Sequence, residues 1–232
     1  MNLFVITSAL NTPHGVFSAD ERLQQTLKTI QSINEKTDAE IIILDGSKDT
    51  ITEQQVLALE DYAVIMSFSH HQDFQNIQKS PNHDVVKNAL EMLMLGAFWA
   101  GNRETITQKY DRVFKISGRY VLSDMFDEQE HTKHKGKIVI GKRRFSQFPT
   151  EITGGVNKQY MSRLYSVDAS LAQYMAETLG SMIQHFFDRL SNNGYLDTEH
   201  LLYHHLDQKK VVELPIIGVE GQLAPNGNKV ED

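Results

Sequence analysis

Two short strand-forming runs flank one amphipathic stretch at the start of the chain. That arrangement restricts the fold more than anything downstream. Residues 3–8 read Leu-Phe-Val-Ile-Thr-Ser, and residues 40–44 read Glu-Ile-Ile-Ile-Leu. Both are nearly continuous apolar runs, as expected of strands buried on both faces of a parallel sheet. Between them Ser18 and Glu21 stand at capping-box spacing, and Leu23, Leu27, Ile30 and Ile33 recur on one helical face. Strand, helix and strand in so short a span imply a right-handed crossover and an open α/β sheet.

The alternation continues. A helix is expected over 52–59, a strand over 63–68, and a largely buried helix over 84–100 with Val86, Leu90, Leu93 and Ala97 on one face, closed by Gly101-Asn102. Strands are expected over 112–116, 137–140 and 159–165. Asp168 can cap a long helix striped by Leu171, Met175, Leu179, Met182, Phe186 and Leu190, which Asn192-Asn193-Gly194 stops. A short helix over 198–206 and an extended segment over 211–217 complete the pattern. The first half thus reads as mostly parallel sheet flanked by helices, and the second half as mixed. In such sheets ligands sit at the carboxyl ends of the parallel strands. Thr7, Ser8, Asp45, Gly46, Ser47 and the Ser117-Gly118-Arg119 turn would share that rim.

Composition excludes several classes of function. The 232 residues carry 23 Lys+Arg against 30 Asp+Glu, a net charge of -7. A sequence-independent nucleic-acid binder needs the opposite balance. There is no cysteine, so disulfides, thiolate metal sites, cysteine nucleophiles and iron–sulfur clusters are out. No apolar run is long enough for a membrane span, and the N-terminal residues lack the basic start and long apolar core of a secretory signal, so a cytoplasmic location is expected.

The stretch Thr26-Leu27-Lys28-Thr29-Ile30-Gln31-Ser32-Ile33, followed by Ala39-Glu40-Ile41-Ile42-Ile43-Leu44-Asp45-Gly46-Ser47-Lys48-Asp49, resembles the N-terminal half of GT-A nucleotide-diphospho-sugar glycosyltransferases, above all the inverting family 2. The resemblance is clear over residues 3–49. It implies a GT-A-like fold, with a single domain over 1–223 divided into a nucleotide-binding half (1–110) and a diphosphate and acceptor half (111–223), and a polar, frayed tail over 224–232. It also implies transfer of a sugar from a nucleotide-diphosphate donor, UDP-linked, to a saccharide or lipid-linked glycan acceptor, as in polysaccharide biosynthesis. Thr7, Ser8, Asp45, Gly46 and Ser47 become donor contacts, with the Asp45 carboxylate accepting from a base N–H or a ribose hydroxyl. The same Asp-Gly-Ser turn also serves as a plain strand-to-helix connection.

The family's next landmark, an Asp-x-Asp motif that holds a divalent metal on the diphosphate, is absent. The corresponding stretch reads Phe114-Lys115-Ile116-Ser117-Gly118-Arg119-Tyr120. Lys115 and Arg119, with Gly118 allowing close approach, offer cations to the diphosphate instead. No cofactor is then required; Mn2+ or Mg2+ is the alternative, with Asp124 as the fallback ligand. The family's catalytic base falls in Asp197-Thr198-Glu199-His200, with Glu199 first and Asp197 second. Both residues also suit a helix start without any catalysis. His200 and His204 stand four apart but lack an evident third ligand, so they read as helix histidines, and Lys142-Arg143-Arg144 reads as a solvated strand edge. The competing reading of the whole chain is a non-catalytic nucleotide- or glycan-binding protein on a degenerate GT-A fold. Oligomeric state is open.

Overall fold

The chain begins with β1 (Asn2–Ser8), α1 (Ala19–Lys36), β2 (Glu40–Asp45), α2 (Glu53–Leu59), β3 (Val64–Ser67), α3 (Gln72–Ile77), α4 (His83–Lys109) and β4 (Arg112–Ser117). It continues through β5 (Tyr120–Leu122), α5 (Glu128–Thr132), β6 (Ile138–Gly141), β7 (Arg144–Phe145), α6 (Thr150–Thr153), β8 (Lys158–Gln159) and β9 (Leu164–Asp168). It ends with α7 (Ala172–Ser191), α8 (Thr198–His205), β10 (Val211–Leu214), β11 (Val219–Gln222) and β12 (Lys229–Glu231). This is a computed structural model, and it describes residues 1–223 and 226–232.

The expected crossover is present. Ser18 and Glu21 close a reciprocal capping box, and α1 turns Ile30 and Ile33 onto the sheet. The main sheet has seven strands in the order β10-β6-β9-β4-β1-β2-β3. β1 pairs in parallel with β2 and β4, β2 with β3, and β10 with β6, while β9 runs antiparallel to both β4 and β6. A three-stranded sheet, β12-β11-β5, and the β7-β8 pair stand beside it. Because side chains alternate across a strand, β1 sends Phe4 and Ile6 to the α1 face and Leu3 and Val5 to the α4–α7 face. That is why its sequence is apolar throughout rather than alternating.

Four expectations need correction. Helix α4 does not stop at Gly101-Asn102 but runs on to Lys109, 27 residues in all. Gly101 lies where a Cβ would meet nothing, and Ile106 beyond it is buried, so packing outweighs the cost of one helical glycine, about 1 kcal/mol. The strand expected over 159–165 is broken, because the Tyr160 amide donates to the Glu199 carbonyl and pairing resumes only at Leu164. The extended segment over 211–217 ends as a strand at Leu214: Pro215 lacks an N–H, and Gly218 turns the chain with φ of 81°. The tail is not frayed, since β12 pairs with β11 and Asp232 joins Arg144 and Arg163. Of that tail, 224 and 225 lie outside the described residues.

Candidate functional site

Strand order reverses between β1 and β4. β1 leads through α1 to β2 on one side, whereas β4 lies on the other, so the carboxyl ends of β1 and β4 border the crevice where an open α/β sheet takes a ligand. Gly118 bridges the two ends, its amide donating to the Thr7 carbonyl at 2.9 Å. A Cβ on Gly118 would lie 3.1 Å from Thr26 Oγ1 and 3.2 Å from Ile6 Cγ2, so this turn approaches β1 and α1 as closely as only glycine comfortably permits. The Ser8 and Thr26 hydroxyls are 3.4 Å apart beneath it.

Two guanidinium groups occupy the crevice with Thr7, Ser8, Thr26 and Gly118: Arg119 from the β4 turn and Arg22 from the first turns of α1. Arg22 donates to the carbonyls of His14 and Phe17 and so fastens the loop that follows β1. Burial, and then the Arg119 charge, push the Arg22 guanidinium below its ordinary pKa. The Nε of Arg119 is buried without a hydrogen-bond partner. Among the described residues neither arginine has a carboxylate within 4.0 Å. Two neighbouring like charges, Arg22 buried and Arg119 half-buried, without a carboxylate partner are unfavourable alone and favourable around an anion.

Lys115 does not reach into the crevice. The alternation of β4 puts it on the same face as Val113, beneath α4, where it is 1% exposed. Its Nζ lies 2.5 Å from Glu91 Oε1, and donates to Ser117 Oγ at 2.8 Å and the Ser162 carbonyl at 2.6 Å. Burial raises the Glu91 carboxyl, but Lys115 and then Lys87 pull it below the usual glutamate value. Burial lowers the Lys115 ammonium, against the pull of Glu91. The expected diphosphate contact of Lys115 is therefore corrected to an internal ion pair that ties β4 to α4.

The network continues to Glu199. Ser162 Oγ donates to Glu199 Oε1 at 2.6 Å. Lys87, one helical turn before Glu91 on α4, faces the same space. Burial would lower its ammonium, but Glu199, Glu91 and Asp197 hold it above its ordinary value. Glu199 keeps partial exposure and one carboxylate oxygen outside the Ser162 contact. Asp197 is committed elsewhere. It caps α8 by accepting from the His200 amide at 2.9 Å and lies 2.5 Å from His200 Nδ1, whose other nitrogen meets Ser146 Oγ at 2.7 Å. Asp197 is thus a helix cap and a histidine partner, not a free base.

The turn after β2 faces inward. Asp45 is wholly buried, accepting from the Leu10 amide at 3.0 Å and the Ser47 amide at 3.1 Å. Burial pushes its carboxyl above the ordinary aspartate range, while these donors favour the charged form. Ser47 Oγ accepts from the Asn11 amide at 2.8 Å, and the Gly46 amide donates to the Ser8 carbonyl at 2.9 Å. Asp45, Gly46 and Ser47 staple the loop after β1 to the end of β2. The expected contact of the Asp45 carboxylate with ribose or base is corrected accordingly.

Asp124 is not at this rim. It is fully exposed and pairs with Lys36 at 3.0 Å in the last turn of α1, which lies at the opposite end of the sheet. The Ser117-Gly118-Arg119 turn after β4 offers a guanidinium and no carboxylate. Farther along the same rim, Lys142, Arg143, Arg144, Arg163 and Asp232 line a cavity of about 240 Å³ at the ends of β6 and β10. The basic run is therefore part of a concavity rather than a bare strand edge, with Arg143 paired to Glu213 and Arg144 to Asp232.

Sequence reasoning missed Arg22, Lys87, Glu91 and Ser162. The available signal was Lys87 and Glu91, opposite charges four residues apart on a helix whose middle is largely apolar. Lys87 is exposed, but Glu91 is buried, and a buried carboxylate is expensive unless something faces it.

No protein-family model and no curated protein matches the chain. Its fold is similar to that of mouse xyloside xylosyltransferase 1 in the apo form, with a TM-score of 0.52 and 11% identity over 92% of this chain and 84% of that one. It is also similar to core-mannan synthase A from Aspergillus fumigatus in its Mn/GDP form, with a TM-score of 0.55 and 10% identity over 100% of this chain and 78% of that one. Both neighbours are glycosyltransferases, and the architecture of this chain is GT-A-like.

Proposed function

We propose that this chain is an inverting glycosyltransferase that binds the diphosphate of a nucleotide-sugar donor through arginine rather than a divalent metal. The observation that carries the reading is the facing pair Arg22 and Arg119, without carboxylate partners, at the reversal point of the sheet. A diphosphate there replaces like-charge repulsion with charge-assisted hydrogen bonds, and guanidinium geometry allows two to one phosphate. The crevice is about 10 Å³ as it stands, so the donor enters by displacing the loop after β1 that Arg22 fastens.

Glu199 serves as general base in this reading. It takes the proton of the acceptor hydroxyl while that oxygen attacks C1 of the sugar. The bond from C1 to the diphosphate oxygen breaks, and the electron pair leaves with the nucleoside diphosphate, whose added charge Arg119 stabilises. Ser162 fixes one carboxylate oxygen and leaves the other for the hydroxyl. The acceptor, a saccharide or lipid-linked glycan, lies toward the cationic cavity at the ends of β6 and β10. UDP is the nucleotide the sequence resemblance favours.

Calorimetric titration with UDP, GDP and CMP, each with Mn2+ and with EDTA, tests the clamp. Metal-independent binding that Arg119→Ala weakens by about 10–100-fold is the expected result. Binding only with Mn2+ would overturn the arginine clamp. Binding without turnover of any nucleotide sugar would favour the non-catalytic reading.

A further inference from the structure

Three imidazoles converge at the end of α8 remote from Glu199. His185 comes from α7, and His204 and His205 from the last turn of α8. One ring nitrogen of each lies within 4.8 Å of the other two. His185 Nδ1 and His205 Nε2 are 3.0 Å apart. The ring centroids are separated by 5.0 Å, 5.2 Å and 5.0 Å for the His185–His204, His185–His205 and His204–His205 pairs.

Among the described residues, the only hydrogen bond of these rings is the one between His185 and His205. Burial, His204 and His185 hold His205 near a pKa of about 4, and burial followed by His204 and Arg189 lowers His185. Asp188 and Arg189 are the other charges that act on His185, with opposite effects. Neutral imidazole is the form that binds a metal, and each of the three rings brings one nitrogen to the shared space. Zinc held at bonds of about 2.0–2.1 Å in tetrahedral geometry sets its ligand nitrogens about 3.3–3.4 Å apart. The 3.0 Å pair opens slightly to reach that spacing, and His204, exposed at the surface, swings in by side-chain rotation. The shared proton of the pair is given up to water while the outer nitrogen of the same ring takes one up, so the tautomer changes and the imidazole stays neutral.

We propose that His185, His204 and His205 form a Zn2+ site with water in the fourth position. The site pins the last turn of α8 to α7 and so holds the helix whose first turn carries Glu199. It is independent of how the donor binds. His200 takes no part, since it is buried against Asp197 and Ser146. The third ligand comes from a different helix, which is why spacing along α8 alone did not disclose it.

The test is titration of the metal-free full chain with Zn2+ by calorimetry, and with Co2+ followed by visible absorption. One equivalent of Zn2+, an intense four-coordinate Co2+ spectrum and a rise in unfolding temperature reversed by EDTA are expected. His185→Ala and His205→Ala should each weaken binding by about 100-fold or more. His205→Gln provides a second, gentler variant. Unfolding of every variant is compared in EDTA, so that loss of metal is separated from loss of fold. A His70→Ala/His71→Ala variant, at an unrelated pair of histidines, should bind as the wild type does. Absence of saturable Zn2+ binding would overturn the proposal, as would affinity unchanged by His185→Ala and His205→Ala, or affinity lost with His70 and His71.

Discussion

Removing Lys115 should damage the fold before it touches donor binding. The Lys115→Met variant keeps the length of the side chain and deletes the charge. At 2.5 Å the wild-type pair attracts by about 6–7 kcal/mol for an effective dielectric of about 20. Desolvation of both ions takes much of that back, so the pair itself is worth little compared with a well-packed apolar replacement. The variant, however, leaves Glu91, which is 9% exposed, without the one cation within 4.0 Å of it, Lys87 and Arg119 acting only from farther away. The expected loss is about 3–5 kcal/mol of unfolding free energy. Trp99, the single tryptophan, is buried on α4 and reports urea unfolding by fluorescence. Adding Glu91→Leu should recover most of the loss, leaving about 1–2 kcal/mol for the unpaired Ser162 carbonyl and neighbouring hydroxyls. The deficit of Lys115→Met should also shrink as pH falls, because Lys115 is the largest charge holding the buried Glu91 carboxyl below its ordinary value and protonation relieves the carboxyl left without it. A single-variant cost below about 1 kcal/mol, or a double variant whose cost equals the sum of the singles, would refute the ion-pair reasoning.

Three further outcomes follow from the geometry. Glu199→Gln keeps the Ser162 contact and should cut turnover by about 10²–10⁴-fold with donor affinity unchanged; full turnover would remove Glu199 as the base. Arg119→Ala should weaken nucleoside-diphosphate binding by about 10–100-fold, read by calorimetry, while urea stability moves by less than about 1 kcal/mol. His131 is 1% exposed and held near a pKa of about 4 by burial and then by Arg112. Its folded pKa lies below its unfolded value, so its contribution is complete above about pH 6.5 and is lost as pH falls toward 4, about 3 kcal/mol in all. His131→Phe should flatten that part of the pH–stability profile, and an unchanged slope would mean His131 stays solvated.

The elements that the sequence reveals best are those whose pattern is local. The α1 capping box, the apolar β1 and β2 runs and the Asn192-Asn193-Gly194 stop all appear in the structure, the last with Asn193 at φ of 57°. What the sequence hides is direction. Lys115 looks like part of a phosphate-binding turn, but strand alternation turns it to the α4 face, and the residue it meets lies 24 positions away on another element. Asp45 ends a strand like a ligand-binding carboxylate, yet the Leu10 amide, from a loop without any sequence pattern, claims it. Arg22 hides in the first turns of a helix because its partners are the carbonyls of His14 and Phe17. In each case a long-range contact, absent from any window of sequence, decides the role.

The reversed strand β9 has a consequence for how such a cleft changes over time. Since β6 and β9 are adjacent and antiparallel, the chain over 142–163 leaves the carboxyl rim and returns to it beside its point of departure. That excursion carries the basic run, the β7–β8 pair, and Ser162, which orients Glu199. A loop whose ends are already pinned together tolerates changes in length cheaply, roughly 0.6 kcal/mol for each doubling. The wall of the cationic cavity is thus a segment whose length can change while the sheet register beneath it stays fixed.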